Sequence, residues 1–150
     1  MTDDSKLPAA LAEIVEDFHS VEDRERLELL LDFSRELPAL PEKYGENYAD
    51  SMEQVVECQS PLFLALEYDD AGTVQLVFAA PAEAPTTRGF ASILQQGLSG
   101  LSGEDILAVP DDLHQRLGLA KAITPLRLRG MAAMLGRIKR SIRQHEAAAQ

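Results

Sequence analysis

The chain has 150 residues, of which 45% are hydrophobic and 26% charged, and its formal net charge is −11. These proportions are typical of a soluble globular protein, and no apolar run approaches the ~20 residues that a membrane-spanning helix needs. An acidic total argues against nucleic-acid binding, which relies on clustered Lys and Arg. The acidic N-terminus lacks the layout of a secretory signal, and one cysteine cannot form an internal disulfide. We therefore expect a cytoplasmic protein.

The charge is unevenly distributed along the chain. Residues 1–60 carry 16 acidic and 5 basic side chains, whereas residues 121–150 carry 7 basic and 1 acidic side chain. The basic C-terminal stretch can meet an acidic surface of another protein or pair with the acidic half of its own chain. The sequence leaves both open and favours self-pairing, because most charge runs are solvated or paired within the protein.

Two helices are predicted over about residues 7–37. Their inner faces carry apolar residues at helical spacing, namely Leu7, Leu11, Ile14, Val15, Phe18, Leu27, Leu30, Leu31 and Leu37. Pro38 and Pro41 end the second helix, because proline disfavours helical backbone in the residue before it. The outer face of this helix carries charges that we interpret as solvated, namely Asp23, Arg24, Glu25, Arg26 and Glu28.

A small sheet is predicted over about residues 52–79. Residues 52–56 indicate a short strand, and residues 62–68 are so apolar that we interpret them as a strand buried on both faces. Residues 69–72 have turn composition, and residues 73–78 alternate as a return strand does. The two longer strands therefore form a hairpin, and the sheet is at least partly antiparallel.

Helices are predicted again over about residues 86–145. The first covers residues 86–98, short helices follow, and Thr124 with Pro125 is a typical start for the last helix. Helices, then an antiparallel sheet of about three strands, then helices predict an α+β fold. Nothing argues for a second domain, so we expect one domain over residues 1–150.

The sequence offers few of the patterns that carry catalysis. His19, His114 and His145 lie far apart and none has a second ligand at metal-binding spacing. Glycine-rich phosphate loops, serine-nucleophile elbows and dinucleotide fingerprints are absent from the sequence. We therefore predict no metal site, and the remaining candidate for chemistry is Cys58.

Cys58 lies in a predicted loop just before the apolar strand. Loops at the mouth of a rigid element often carry function, but a free cysteine is also among the most buried residue types and often only fills space. Its sequence neighbours do not activate it, since the carboxylate of Glu57 disfavours a thiolate if it faces the sulfur. Backbone N–H groups, or an arginine folded close, would have to lower the thiol pKa.

Cys58-Gln59-Ser60, followed by the apolar strand, resembles the sulfur-acceptor loop of the SufE/CsdE family. The resemblance covers most of the chain. Each further motif is a weak signal alone, but five motifs in the same order and at family spacing are a specific signal of the family. These motifs are Leu37-Pro38-Ala39-Leu40, Arg88-Gly89-Phe90, Leu117-Gly118-Leu119, Ile123-Thr124-Pro125-Leu126-Arg127, and Gly130-Met131 with Met134.

The resemblance implies a SufE-like fold in which Cys58 takes sulfane sulfur from a pyridoxal-phosphate cysteine desulfurase of the SufS/CsdA kind. The sulfur would then pass to an iron–sulfur scaffold protein, and this chain would hold no cofactor of its own. Gln59 and Ser60 would support the loop or contact the partner. Arg127 matches a family arginine that contacts the desulfurase or orients the loop. The alternative is that it bonds the turn before the last helix.

Two positions depart from the family pattern. Glu57 stands where the family usually has glycine, which reaches backbone angles that Glu adopts only at a cost, so we expect a changed loop conformation. Glu83 stands where an aspartate is usual, so partner preference is expected to differ. Two rival interpretations remain: a SufE-fold module that regulates a desulfurase without carrying sulfur, and a peroxidase-type thiol enzyme, which the missing second cysteine disfavours.

Overall fold

The computed structural model describes residues 7–149, so the predicted features of residues 1–6 and 150 lie outside the described part of the chain. Helices and short strands follow one another in the predicted order, and the α+β class is confirmed. The elements are α1 (Ala9–His19), α2 (Asp23–Glu36), β1 (Glu53–Gln54), β2 (Phe63–Tyr68), β3 (Thr73–Ala79), α3 (Pro85–Leu98), β4 (Leu101–Ser102), α4 (Gly103–Leu107), α5 (Leu113–Arg116) and α6 (Pro125–Ala148).

The sheet has four antiparallel strands in the order β1-β2-β3-β4, one more than the three expected. The additional strand, β4, pairs with the start of β3 and has only two residues, too few to show an alternating pattern. The strand expected over residues 52–56 shortens to β1, because Val56 begins a 3₁₀ turn. The prediction that β2 is buried on both faces was wrong, since Leu64 alone in that strand is fully buried.

Helix α3 lies at the centre of the hydrophobic core and contacts both α1 and α2. A Cβ atom on Gly89 would lie 2.3 Å from the backbone oxygen of Leu30, so α2 and α3 touch backbone to backbone. The guanidinium of Arg88 donates to the carbonyl oxygens of Ser34 (2.8 Å), Ala80 (2.8 Å) and Leu37 (3.2 Å). One arginine thereby ties together the ends of α2 and β3.

Arg26 corrects the interpretation of the outer face of α2 as merely solvated. Its Nε donates to the carbonyl of Phe18 at 2.8 Å, and its Nη1 bonds Asp23 at 2.8 Å and the carbonyl of Gly118 at 3.2 Å. The sequence pattern could not show this, because both carbonyls belong to other segments. Arg26 therefore links the first two helices to the turn after α5.

Helix α6 is fixed along its length. At its start the hydroxyl of Thr124 accepts a hydrogen bond from the backbone N–H of Arg127 at 3.3 Å, as the sequence predicted for a cap. Lys139, near its middle, is buried and bonds the Asp111 carboxylate at 2.7 Å. Near its end the ring of His145 stacks on Tyr68 at a centroid distance of 3.6 Å. Within residues 7–149, no helix combines the length and apolar character needed to cross a membrane.

Candidate functional site

Residues 55–60, here named the Cys58 loop, connect β1 to the segment before β2. Val56–Cys58 forms one 3₁₀ turn, in which the Cys58 N–H donates to the Val55 carbonyl at 3.1 Å. Gln59 then adopts a left-handed conformation with φ 58°, the only non-glycine residue with positive φ in the described part of the chain. The expected backbone conflict at Glu57 is therefore absent, and the strained position is Gln59 instead.

The Cys58 loop lies directly on α6 at Gly130. A Cβ atom on Gly130 would lie 3.1 Å from the Cys58 Cα and 3.3 Å from its Sγ, so only glycine allows this approach without a shift. The Cys58 thiol donates to the Gly130 carbonyl oxygen at an S···O distance of 3.6 Å. The thiol therefore faces helix backbone, and in this docked position Cys58 keeps its proton as a hydrogen-bond donor.

Burial raises the pKa of the Cys58 thiol from its ordinary value of 9.0 to about 11. The neighbouring carboxylate of Glu57 contributes to this rise in pKa, and the guanidinium of Arg137 opposes the rise only in part. A pKa higher by about two leaves about 100-fold less thiolate at neutral pH. As docked, Cys58 is therefore a protected thiol and not an activated nucleophile.

Four charged side chains, here named the Arg137 cluster, join the Cys58 loop and β1 to α6. Arg137 bonds the Glu57 carboxylate through Nε (3.0 Å) and Nη2 (2.8 Å), and the Glu53 carboxylate through Nη1 (2.6 Å). Arg140 reaches the same Glu53 oxygen at 3.2 Å. The carboxylate of Glu57 accepts a hydrogen bond from the backbone N–H of Glu57 itself. This bond and the nearby guanidinium of Arg137 hold the pKa of Glu57 below its usual range. The basic C-terminal stretch thus pairs in part with the acidic half of the chain.

A cavity of about 310 Å³ beside Cys58 brings all the predicted site residues together. Its lining includes Glu57, Cys58, Gln59, Ser60, Glu83 and Arg127. Arg127 donates from Nη1 to the hydroxyl of Thr86 at 2.6 Å, which fixes its guanidinium between α3 and α6. Its backbone N–H bonds the Thr124 cap, so Arg127 takes part in the turn as well as lining the cavity.

The polar groups around the cavity differ in how they are bonded. Glu83 is exposed, as is Gln59. The hydroxyl of Ser60 is buried and finds no hydrogen-bond partner among the described residues. A buried hydroxyl without a partner is costly, so this part of the loop gains little from staying in place.

Two apolar side chains beside the cavity face solvent. Val56, in the Cys58 loop, is 59% exposed and Leu126, which lines the cavity, is 44% exposed. They are the only large hydrophobic residues exposed in residues 7–149. Neighbouring exposed apolar residues beside a cavity can mark a surface that another protein covers.

The histidines have structural surroundings. His19 contacts the carbonyl of Arg116, His145 stacks on Tyr68, and burial lowers the pKa of His114. Among the described residues, no group of three or more His, Cys, Asp or Glu side chains could hold a metal ion.

Sequence reasoning missed Arg137, since Arg137 lies 80 residues from Glu57 and its helix carries several other arginines.

Comparisons with known proteins agree with the resemblance. Residues 12–142 match the family model described as SufE, Fe-S metabolism associated domain. The chain is 58% identical to an uncharacterized SufE-like protein of Mycobacterium tuberculosis over 96% of this chain and 99% of that protein. It is 31% identical to the Arabidopsis thaliana SufE-like protein 1, chloroplastic/mitochondrial, over 87% of this chain and 34% of that protein.

A solved structure shares the fold. The solution structure of a hypothetical protein from Thermus thermophilus superposes with a TM-score of 0.78 at 37% identity, covering 92% of this chain and 96% of that one. Together with the family match over most of the chain, this likeness agrees with the α+β arrangement around Cys58. The chain therefore belongs to the SufE family, and this membership supports a role in iron–sulfur metabolism and implies interaction with a cysteine desulfurase.

Proposed function

We propose that Cys58 accepts sulfane sulfur from the persulfide of a cysteine desulfurase and delivers it to an iron–sulfur scaffold protein in the cytoplasm. The observation that carries this proposal is the position of Cys58. The only cysteine of the chain lies in a loop docked on a helix, beside a cavity that exposed apolar residues flank. Family membership supplies the class of partner.

The transfer is a thiol–disulfide type of exchange. The Cys58 thiolate attacks the outer sulfur of the desulfurase persulfide, a new S–S bond forms at Cys58, and the S–S bond of the desulfurase breaks. The desulfurase cysteine leaves as a thiolate, and the proton lost from Cys58 passes to solvent. No net oxidation occurs, so the exchange needs no redox cofactor in this chain.

Transfer requires the loop to leave its docked position. Docked on Gly130, the thiol has a pKa of about 11, and its sulfur faces the backbone of α6. Moving into solvent removes the burial that is the largest cause of this raised pKa, so up to about 100-fold more thiolate forms at neutral pH. The docked position thus protects the thiol, and the open position presents it to a partner.

The surface around the cavity fits a protein partner. Val56 and Leu126 supply apolar contacts, and Arg127 with Arg129 supplies positive charge on the same end of α6. Neither arginine makes an ion pair with another described residue, so both can meet carboxylates of a partner. A desulfurase that presents its persulfide between apolar and acidic residues would match this surface.

The test is intact-protein mass spectrometry after incubation with a cysteine desulfurase, pyridoxal phosphate and cysteine, without reductant. We expect one added sulfur atom on the wild type, removable by a thiol reagent, and none on the Cys58→Ser variant. Several desulfurases, including one from an organism whose SufE-like protein is similar in sequence, should be tried. If none adds sulfur to the wild type, Cys58 is not a sulfur acceptor.

The high pKa of docked Cys58 favours a second candidate, a SufE-fold module that regulates a desulfurase without carrying sulfur. Such a module would act by binding alone. A Cys58→Ala variant that stimulates desulfurase turnover as strongly as the wild type, without reductant, would support it. Loss of stimulation with retained binding would support the carrier instead.

A further inference from the structure

We propose that Arg137 is a positioning residue that holds the Cys58 loop docked on α6 through its ion pairs with Glu57 and Glu53. The docking itself is a property of this chain alone. Its consequence for sulfur transfer rests on the proposed function, in which the loop must open.

The geometry places Arg137 at a junction of three segments. Its guanidinium uses separate nitrogen atoms for Glu57, inside the Cys58 loop, and for Glu53, in β1. It lies two helical turns after Gly130, which touches Cys58. The loop is therefore attached to α6 at two places on one side of the helix, by close packing at Gly130 and by charge at Arg137.

The other attachments of the moving segment are weak. The thiol bond to Gly130 is long at 3.6 Å, Gln59 has a left-handed backbone, and the Ser60 hydroxyl has no partner among the described residues. Val56 contributes little burial because it is exposed. The ends of the segment are firm, since Val55 and Leu62 are fully buried. The ion pair between Arg137 and Glu57 is therefore the strongest contact that opening must break, and the pair with Glu53 keeps Arg137 in place.

Arg137 is suited to this role because its side chain is only 17% exposed, so solvent screens its ion pairs less than those of a surface arginine. Glu57 supplies the carboxylate on the loop side of this attachment. Glycine has no side chain that could reach Arg137. The loop of this chain thus carries an electrostatic attachment that a glycine at position 57 would lack.

The two effects of Arg137 on Cys58 have opposite signs. The positive charge of Arg137 lowers the thiol pKa, so losing this charge, taken alone, slows alkylation. The ion pairs of Arg137 hold the loop closed, so losing these ion pairs, taken alone, speeds alkylation. The direction of the change in Arg137→Gln therefore separates a positioning role from a direct electrostatic one.

The experiment measures the rate at which a neutral reagent alkylates Cys58, at fixed pH and low salt. We expect Arg137→Gln to react about three- to tenfold faster than the wild type, the range for loss of the partly buried ion pair with Glu57. Glu57→Gln should react about threefold faster. Arg143→Gln is the matched control, because Arg143 lies exposed on the same helix and makes no ion pair with a described residue; its rate should equal that of the wild type.

Two further measurements identify the pair. In the double variant Arg137→Gln/Glu57→Gln, the rate should rise by less than the product of the two single effects, since both changes break the Arg137–Glu57 ion pair. Raising the salt from about 0.05 to about 0.5 M should speed alkylation of the wild type and leave Arg137→Gln unchanged. Hydrogen exchange in a peptide spanning residues 55–60 should rise in both single variants, which reports opening independently of the thiol. Urea midpoints check that every variant remains folded.

Equal or slower alkylation in Arg137→Gln overturns the proposal, and so does an equal increase in Arg143→Gln, which would be a general effect of charge. The test needs no desulfurase. If the wild type accepts no sulfur but the predicted differences appear, the proposed function fails and the positioning role stands. Sulfur uptake with no such differences removes the positioning role alone.

Discussion

Among the close contacts that depend on a glycine in a helix, those at Gly89 and Gly130 have different surroundings. At Gly89, α3 touches the backbone of α2, next to the fully buried Phe90. At Gly130, α6 touches the Cys58 loop beside an open cavity. Both glycines bring two segments closer than any side chain permits, but only the first contact is enclosed by the core.

The arginines that hold the two contacts, Arg88 and Arg137, differ in the same way. Arg88 donates to three backbone carbonyl oxygens, whereas Arg137 pairs with two carboxylates that lie near solvent. Releasing Arg88 leaves backbone acceptors without a partner, but carboxylates released from Arg137 are hydrated at once. The first contact is built to be permanent and the second to be reversible. The following predictions test this distinction.

We expect the largest effect from Gly89→Ala. The new methyl group would lie 2.3 Å from the Leu30 carbonyl oxygen, so α2 and α3 must separate, and the free energy of unfolding should fall by about 3 kcal/mol. Gly136→Ala in α6 is the control, because nothing lies within 4 Å of its new methyl group. It should raise stability by about 0.5–1 kcal/mol through helix propensity. Urea unfolding measures both, and equal effects would contradict the packing argument.

Arg88→Met should lower the free energy of unfolding by about 2–3 kcal/mol, since it retains the apolar stem and leaves three carbonyl oxygens without a donor. Arg35→Met is the control: Arg35 is exposed and, among residues 7–149, pairs only with Asp32 on its own helix. The control should change stability by less than about 0.5 kcal/mol. Similar urea midpoints for the two variants would show that the hydrogen bonds of Arg88 do not stabilise the fold.

The Cys58 thiol should titrate near pH 11 in the folded protein and near 9.0 after unfolding. Because the folded pKa is the higher one, the native state favours the neutral thiol. This contribution to stability is present below about pH 9 and is lost as pH rises towards 11. The ultraviolet absorbance of the thiolate, with Cys58→Ser subtracted, measures the midpoint. A folded midpoint at 9.0 would mean that the thiol is not buried in solution.

The smallest change in stability is expected for Gly130→Ala. Its methyl group would lie 3.1 Å from the Cys58 Cα and 3.3 Å from Sγ, so the loop must move by a few tenths of an ångström. Stability should change by less than about 1 kcal/mol, because the gain in helix propensity offsets the loss of packing. Alkylation of Cys58 should nevertheless become faster. A large loss of stability instead would mean that the loop is as permanent as the contact at Gly89.

The sequence predicted the helices and the hairpin because their apolar residues follow regular periods. The core positions of α1, such as Leu11 and Phe18, are buried as predicted. The sequence did not predict β4, since a two-residue strand is too short to show an alternating pattern. It also did not predict that the 3₁₀ turn at Val56 shortens β1. These features depend on hydrogen bonds to other strands and on packing against α6, which local composition does not record.

The candidate site could likewise be predicted from the sequence only in part. The motif around Cys58 located the loop, and the motif residue Gly130 proved to be the surface on which it docks. The sequence left open whether backbone N–H groups or an arginine folded close would lower the thiol pKa, and the only arginine it singled out for the site was Arg127. Arg137 supplies the charge that lowers the thiol pKa, although burial outweighs it. Only the fold brings a side chain 80 residues away against Glu57.

The fixed position of α6 has a consequence for how fast the thiol can be presented. This helix is about 36 Å long and is held at its start by Thr124, near its middle by Lys139 and near its end by His145. The surface on which Cys58 docks is therefore stationary, and only a few residues between the buried Val55 and Leu62 need to move. Motions of short loops take nanoseconds to microseconds, whereas shifts of whole helices take microseconds to milliseconds. We therefore expect opening to be fast, so that encounter with the partner or the exchange of sulfur sets the rate of transfer.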